Sequence, residues 1–317
     1  MYYEFIRKGQ RRNMIKNKLI PTFAILSAVV LMTTATAPAE TFDASTATKL
    51  TAALAKAKPG DTVRLAAGTY ACTPIIPAGV TLRGAGYLKT ILDVGAADSG
   101  VTLGGDNAAL TDLAVNTRGT TAILANGVKM IGLSGILVRG GAVAVFLQKV
   151  DGARIENCIL DGAQTGVALN EVTGAAIVNN TLTHTDTTGI SLAKVSQSAV
   201  FNNLVAHAGV GISVTQPGTG LLVDHNQYIA LFTGKFETEY RRVSLGPWRD
   251  VSGGLDAQSV CLPVTFRDAP NGDYQPTSTL DWNPGIPTTA NWGVAKLGEV
   301  TAPVSYTHLT LPTILRV

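Results

Sequence analysis

Ala153-Arg-Ile-Glu-Asn-Cys-Ile-Leu160, Ala176-Ile-Val-Asn-Asn-Thr-Leu182 and Ala199-Val-Phe-Asn-Asn-Leu-Val205 read as one phrase written three times. Asn157, Asn180, Asn203 and Asn226 recur every 23 residues, and a second apolar run follows the copies as Gly166-Val-Ala-Leu169, Gly189-Ile-Ser-Leu192 and Gly211-Ile-Ser-Val214. Less regular copies precede them through Leu110-Thr-Asp-Leu-Ala-Val115, Val128-Lys-Met-Ile131 and Ala142-Val-Ala-Val-Phe146. Each unit holds short Val, Ile, Ala and Leu runs in apolar–polar alternation, broken by Gly, Asn, Asp and Thr. That pattern specifies strands and turns rather than the 3.6-residue spacing of a helix. A unit this small cannot bury its own apolar face. Stacked copies can, with neighbouring strands ~4.8 Å apart and equivalent residues above one another. The repeat therefore predicts an all-β solenoid of 22–23-residue coils over residues 40–232. A leucine-rich repeat has a similar period but needs Leu at most of its consensus positions. Here those positions are Val, Ile, Ala, Gly and Thr.

Stacking gives each column of the repeat a meaning. One Asn per coil supplies both donors and acceptors, so the column from Asn157 to Asn226 is expected to form a hydrogen-bonded ladder. Lys149, Glu171 and Lys194 are 22 and 23 residues apart and alternate in sign. That spacing predicts charge pairs between adjacent coils, each worth ~0.2–1 kcal/mol. Asp161, His184 and His207 also follow the 23-residue period, and Arg139 lies 22 residues before Asp161. This row is the candidate catalytic site. A carboxylate beside two imidazoles suits general acid–base work or metal binding, whereas the structural alternative is a polar turn column.

Before the coils, Leu50, Ala53, Leu54 and Ala57 fall at helical spacing between Ser45, a suitable N-cap, and the stop Lys58-Pro59-Gly60. A short helix there would cover the open edge of the first coil. Next come Pro59-Gly-Asp-Thr-Val-Arg-Leu-Ala-Ala-Gly-Thr-Tyr70, Ala78-Gly-Val-Thr-Leu-Arg-Gly-Ala-Gly86 and Thr90-Ile-Leu-Asp93. These phrases resemble the first coils of the pectin-lyase-like superfamily, across roughly residues 45–232. The resemblance implies a right-handed parallel β-helix with a short N-terminal capping helix. It also implies a class that includes pectate, alginate and chondroitin lyases, polygalacturonases and non-catalytic exported proteins.

The ends of the chain read differently. Arg11, Arg12, Lys16 and Lys18 precede an apolar run from Leu19 to Met32, and Ala37-Pro38-Ala39 is a small-x-small cleavage pattern. Residues 1–39 are therefore expected to be a cleaved export signal, with the run too short to span a bilayer. Val304-Ser-Tyr-Thr-His-Leu-Thr-Leu-Pro-Thr313 resembles one translated frame of a sequencing adaptor, so 304–317 is read as an artefact and the gene as truncated near Pro303. Residues 233–303 lose the repeat, hold Trp248, Trp282 and Trp292, and are expected to pack on the coils as an irregular trailing region. Between Glu40 and Pro303 there are 18 Lys and Arg against 21 Asp and Glu, a net of −3, so no basic patch points to nucleic acid. Cys72, Cys158 and Cys261 are too widely spaced for a metal motif and odd in number, so they are read as thiols.

The resemblance implies a protein that binds or acts on polysaccharide, as a lyase or a glycoside hydrolase. It leaves open a non-catalytic envelope scaffold or sugar-binding protein, and a periplasmic copper-site accessory protein with the two histidines as ligands. A secreted, periplasmic or surface location and a monomer are expected. Ca²⁺ is implied as a cofactor by the resemblance alone. No carboxylate cluster matches the lyase Ca²⁺ site, and neither Arg-x-Pro-x-x-Arg nor Trp-x-Asp-His occurs. The Asp-Asp pair, Gly-His-Gly and Arg-Ile-Lys of polygalacturonases are missing too.

Overall fold

A computed structural model describes residues 38–236, 242–261, 265–271 and 273–276. Residues 1–37 of the expected signal, Trp282, Trp292 and the 304–317 segment lie outside them. The described chain is a three-faced parallel β-helix. Its first face is a nine-stranded sheet, and the other two faces share a second sheet whose long strands Thr181–Ala193 and Leu204–Thr215 turn the corner between them. All but the trailing strands pair in parallel, each coil with the one above it.

Alternation drives the winding. Ile155, Ile177, Val200 and Val223 point inward from the first face. Leu160, Leu182, Val205 and Tyr228 do so from the second, and Val167, Ile190 and Ile212 from the third. Together they fill one continuous apolar core. Pairing by alternation corrects the reading by letters. Ala153 pairs with Ala175 and Arg154 with Ala176, because that coil has 22 residues rather than 23, and Ala176 then pairs with Ala199 across a 23-residue coil. Matching Ala153 to Ala176 would slip the register by one and turn every inward side chain outward.

The slip also divides the asparagine column. Asn180, Asn203 and Asn226 are fully buried and form the ladder: Asn203 Oδ1 accepts from the backbone N–H (3.1 Å) and Nδ2 (3.0 Å) of Asn180, while its own Nδ2 donates to Ile177 O at 2.9 Å. Asn226 repeats the arrangement beneath Asn203. At the other end, the residue above Asn180 is Cys158, whose N–H donates to Asn180 Oδ1 at 3.0 Å. Asn157 lies outside the ladder. It stands with Asp112, Gly135, Asn179, Asn202 and His225 in a neighbouring corner column, all with φ between +53° and +65°. Asn and Gly suit that left-handed conformation. The alternating charges do align, with Lys194 Nζ 3.1 Å from Glu171 Oε1, both exposed.

Both ends of the spiral are closed. The helix Ala47–Lys56 presses Leu50, Ala53 and Leu54 into the core beside Val63 and Leu65. Its N-cap is Thr46, whose hydroxyl accepts from Lys49 N, rather than Ser45, whose Oγ meets Lys49 Nζ. The repeat runs past Phe232 to a last parallel strand, Gln227–Phe236, on which Arg242–Val243 pairs antiparallel. The helix Leu245–Val251 then lays Trp248 over Gly234. The Asp256 carboxylate ends the ladder by accepting from Asn226 Nδ2, Tyr228 OH, Trp248 Nε1 (2.7 Å) and Ser259 Oγ. Burial still raises its pKa above the usual carboxylate range. All three cysteines are free thiols, and burial pushes that of Cys158 up to about 12.

Candidate functional site

The second face presents two outward columns. The first, Ile91, Ala114, Leu137, Ile159, Thr181 and Leu204, is mostly apolar, and the second runs Asp93, Asn116, Arg139, Asp161, Thr183, Ala206 and Ile229. Arg139 and Asp161 are direct neighbours in this second column. The residue opposite Asp161 in the next coil is Thr183, so His184 and His207 do not share its row. The two histidines stand one step on, at the corner between the second and third faces, both at φ +51° and in line with the left-handed Gly140 and Gly162.

Asp161 nevertheless reaches the corner diagonally. Its Oδ1 lies 2.9 Å from His184 Nδ1, and the His184 and His207 rings stack at 5.0 Å and 13°. Thr183 Oγ1 sits between them, 3.4 Å from His184 Nδ1 and 3.3 Å from His207 Nδ1. A carboxylate only accepts, so the proton shared with Asp161 belongs on His184 Nδ1, leaving Nε2 as the basic nitrogen. The His184 side chain is 54% exposed and meets solvent. Burial, and then the neighbouring His184, lower the pKa of His207. Neutral imidazoles can stack closely, whereas two cations would repel.

Sequence reasoning missed two members of this cluster. Thr183 was hidden by the one-residue offset. Tyr274 comes from a hairpin, Phe266–Asp268 with Asp273–Pro276, that lies against the second face. Its ring is buried among Ala114, Leu137 and Ile159, and its hydroxyl donates to Asp161 Oδ2 at 2.5 Å. Burial first, then Asp161, push the Tyr274 hydroxyl pKa up, while Arg139 pulls it the other way. Residues 233–303 were expected to be irregular; Asn271-Gly272 is the kind of pair that marks a hairpin turn, but nothing in a 113-residue separation points to Asp161.

The donor set does not fit a bound cation. Both Asp161 oxygens are engaged by Tyr274 and His184, and its column neighbour is the cation Arg139. Among the described residues no group of three or more His, Cys, Asp or Glu is arranged to hold a metal ion. Neither the Ca²⁺ of the resemblance nor the copper reading of the two histidines finds a ligand set there.

Residues 89–228 match the family model described as "Right handed beta helix region". No curated protein matches the chain. Among solved structures, an alginate lyase from Paenibacillus sp. is 14% identical at TM-score 0.44, covering 65% of this chain and 97% of its own. The catalytic domain of a GH87 alpha-1,3-glucanase in complex with nigerose is 14% identical at TM-score 0.48, covering 71% of this chain and 44% of its own. The A-module of a mannuronan C-5 epimerase from Azotobacter vinelandii is 14% identical at TM-score 0.42, covering 60% and 71%. Through the matched coils, this chain has the fold of a right-handed parallel β-helix.

Proposed function

We propose that the protein acts on a polysaccharide by general acid–base chemistry centred on His184. The observation that carries this reading is the 2.9 Å bond from His184 Nδ1 to Asp161, which leaves Nε2 basic and open to solvent beside a second imidazole. The site lies on an open face running from coil to coil. Such a face suits a polymer lying along it better than a small molecule, which is usually held in a concave pocket. Hydrolysis needs a second carboxylate across the bond, but the column neighbours of Asp161 are Arg139 and Thr183. Elimination from an acidic sugar suits the set better. His184 would take the proton at Nε2 and, as the imidazolium beside Asp161, return it to the leaving oxygen, with neutral His207 stacked beside it and Arg139 balancing the substrate's charge. The signal-like residues 1–39 support placing this activity outside the cytoplasm, and mass spectrometry of the mature N-terminus should find Glu40 first.

Alginate, mannuronan and α-1,3-glucan are the first polymers to test. Elimination would show as rising ultraviolet absorbance from the unsaturated product. His184→Ala should lower kcat/KM by about 10²–10⁴-fold, the usual contribution of a general base. Unchanged turnover would reject the assignment. The second reading, a sugar-binding scaffold, is favoured by the third face, where the outward residues Leu124, Asn126, Phe146, Gln148, Ala168 and Asn170 carry no charge. Binding without turnover across the panel would select it.

A further inference from the structure

We infer that Tyr274 is a positioning residue of this site: from the hairpin, its hydroxyl holds Oδ2 of Asp161 and so orients the carboxylate whose other oxygen fixes the His184 ring. The inference rests on the Asp161–His184 reading and adds a residue that no coil supplies.

A carboxylate on a single Cβ–Cγ bond rotates unless both oxygens are held. Here each oxygen has one side-chain partner, Tyr274 OH on Oδ2 and His184 Nδ1 on Oδ1. The partner on Oδ2 is itself fixed. The Tyr274 ring is 2% exposed, packs across Ala114, Leu137 and Ile159 from three successive coils, and meets Phe266 edge-on at 5.6 Å and 70°. A hydroxyl mounted on so constrained a ring is a fixed donor. Arg139, on the strand above Asp161, acts electrostatically on the same hydroxyl and on that of Tyr87, which also feels the charge of Asp273 in the hairpin. With its proton held by burial and by the Asp161 charge, Tyr274 remains a donor across the neutral range. Docking of the hairpin and alignment of the acid–base pair are therefore one event, although the two lie 113 residues apart in the chain.

The test is Tyr274→Phe, which keeps the ring and removes the hydroxyl, read by ¹⁵N NMR of the histidine rings in the whole protein. Wild-type His184 should show one tautomer, with the proton on Nδ1 and Nε2 bare. The variant should show a mixture of both tautomers, with the contacts of ring 274 to the Leu137 methyls retained. Unchanged His184 signals would overturn the proposal, and so would loss of those methyl contacts, since the hydroxyl would then be only an anchor. Asp161→Asn separates this from the reading beneath it. If that variant leaves His184 unaltered, the Asp161–His184 pair itself fails. If it alters His184 while Tyr274→Phe does not, only the role of Tyr274 fails. On any polymer that is turned over, Tyr274→Phe should lower kcat about 10-fold with KM kept, the lower end of the effect of outer partners that orient a reacting group.

Discussion

Asn203 satisfies three groups at once: the backbone N–H and side-chain amide of Asn180, and the carbonyl of Ile177. Truncation leaves the Asn180 backbone N–H without its side-chain acceptor and removes one of two bonds from the Asn180 amide, which keeps Ile155 O; a buried group left unpaired costs about 1–3 kcal/mol. Asn203→Ala should therefore cost about 1–3 kcal/mol, seen as a lower urea midpoint. Asn157→Gly should change stability by no more than about 1 kcal/mol, because glycine adopts its left-handed backbone freely. A large loss there would put Asn157 back in the ladder. The two asparagines look alike in the sequence because repeated letters favour a 23-residue step, whereas the inward alternation of Ile155 and Ile177 sets 22. The same offset conceals Thr183 while leaving Asp161, His184, His207 and Arg139 visible as neighbours. Periodicity reveals which residues come close, and only the register reveals which ones touch. His207 also carries a pH signature. Its folded-state pKa lies below the unfolded value, so unfolding binds a proton and stability is lost as pH falls through about 6.5. Melting curves across pH 5–8 should show that fall in the wild type and a flatter profile in His207→Gln.

The elements that close the spiral follow different rules from those that build it. The N-terminal helix was readable because Leu50 and Leu54 keep helical spacing before a Pro-Gly stop, and only its cap moved by one residue, to Thr46. The C-terminal closure was not readable. Trp248, Asp256 and Ser259 occur once each, so no period announces them, and their meaning depends on the last coil that they meet. Gly234 shows how closely that closure fits. A Cβ there would run into the Trp248 ring and would have to displace it. Gly234→Ala should lift the indole away from the Asp256 carboxylate. The expected result is a cost of about 1–3 kcal/mol, as for other overpacked cores, with faster hydrogen exchange confined to the last coil. Exchange that is unchanged, or faster throughout the protein, would show that the closure is not a separate unit.

Across the whole molecule, stability comes from the continuous core and the stacked backbone rather than from charge. The pairs Arg64–Asp43, Arg83–Asp112 and Lys194–Glu171 are all exposed, where solvent screening and side-chain entropy leave ion pairs little net value. Raising salt to about 1 M, where the Debye length falls to about 3 Å, should move Tm by no more than about 2–4 °C, equivalent to roughly 1 kcal/mol in a domain of this size. A larger drop would assign the surface pairs a role that the geometry does not.

The ladder has one last consequence, for ancestry. Each asparagine hands its amide to the next at the same step, so the spiral has no intrinsic length. Excising residues 181–203 would bring Asn226 beneath Asn180 and leave every rung matched, whereas deleting a single residue between Asn180 and Asn203 would put that rung out of step. A gene of this kind can grow or shrink by whole rungs without disturbing either end. His184 would go with the rung removed, so length is free to drift everywhere except around the site.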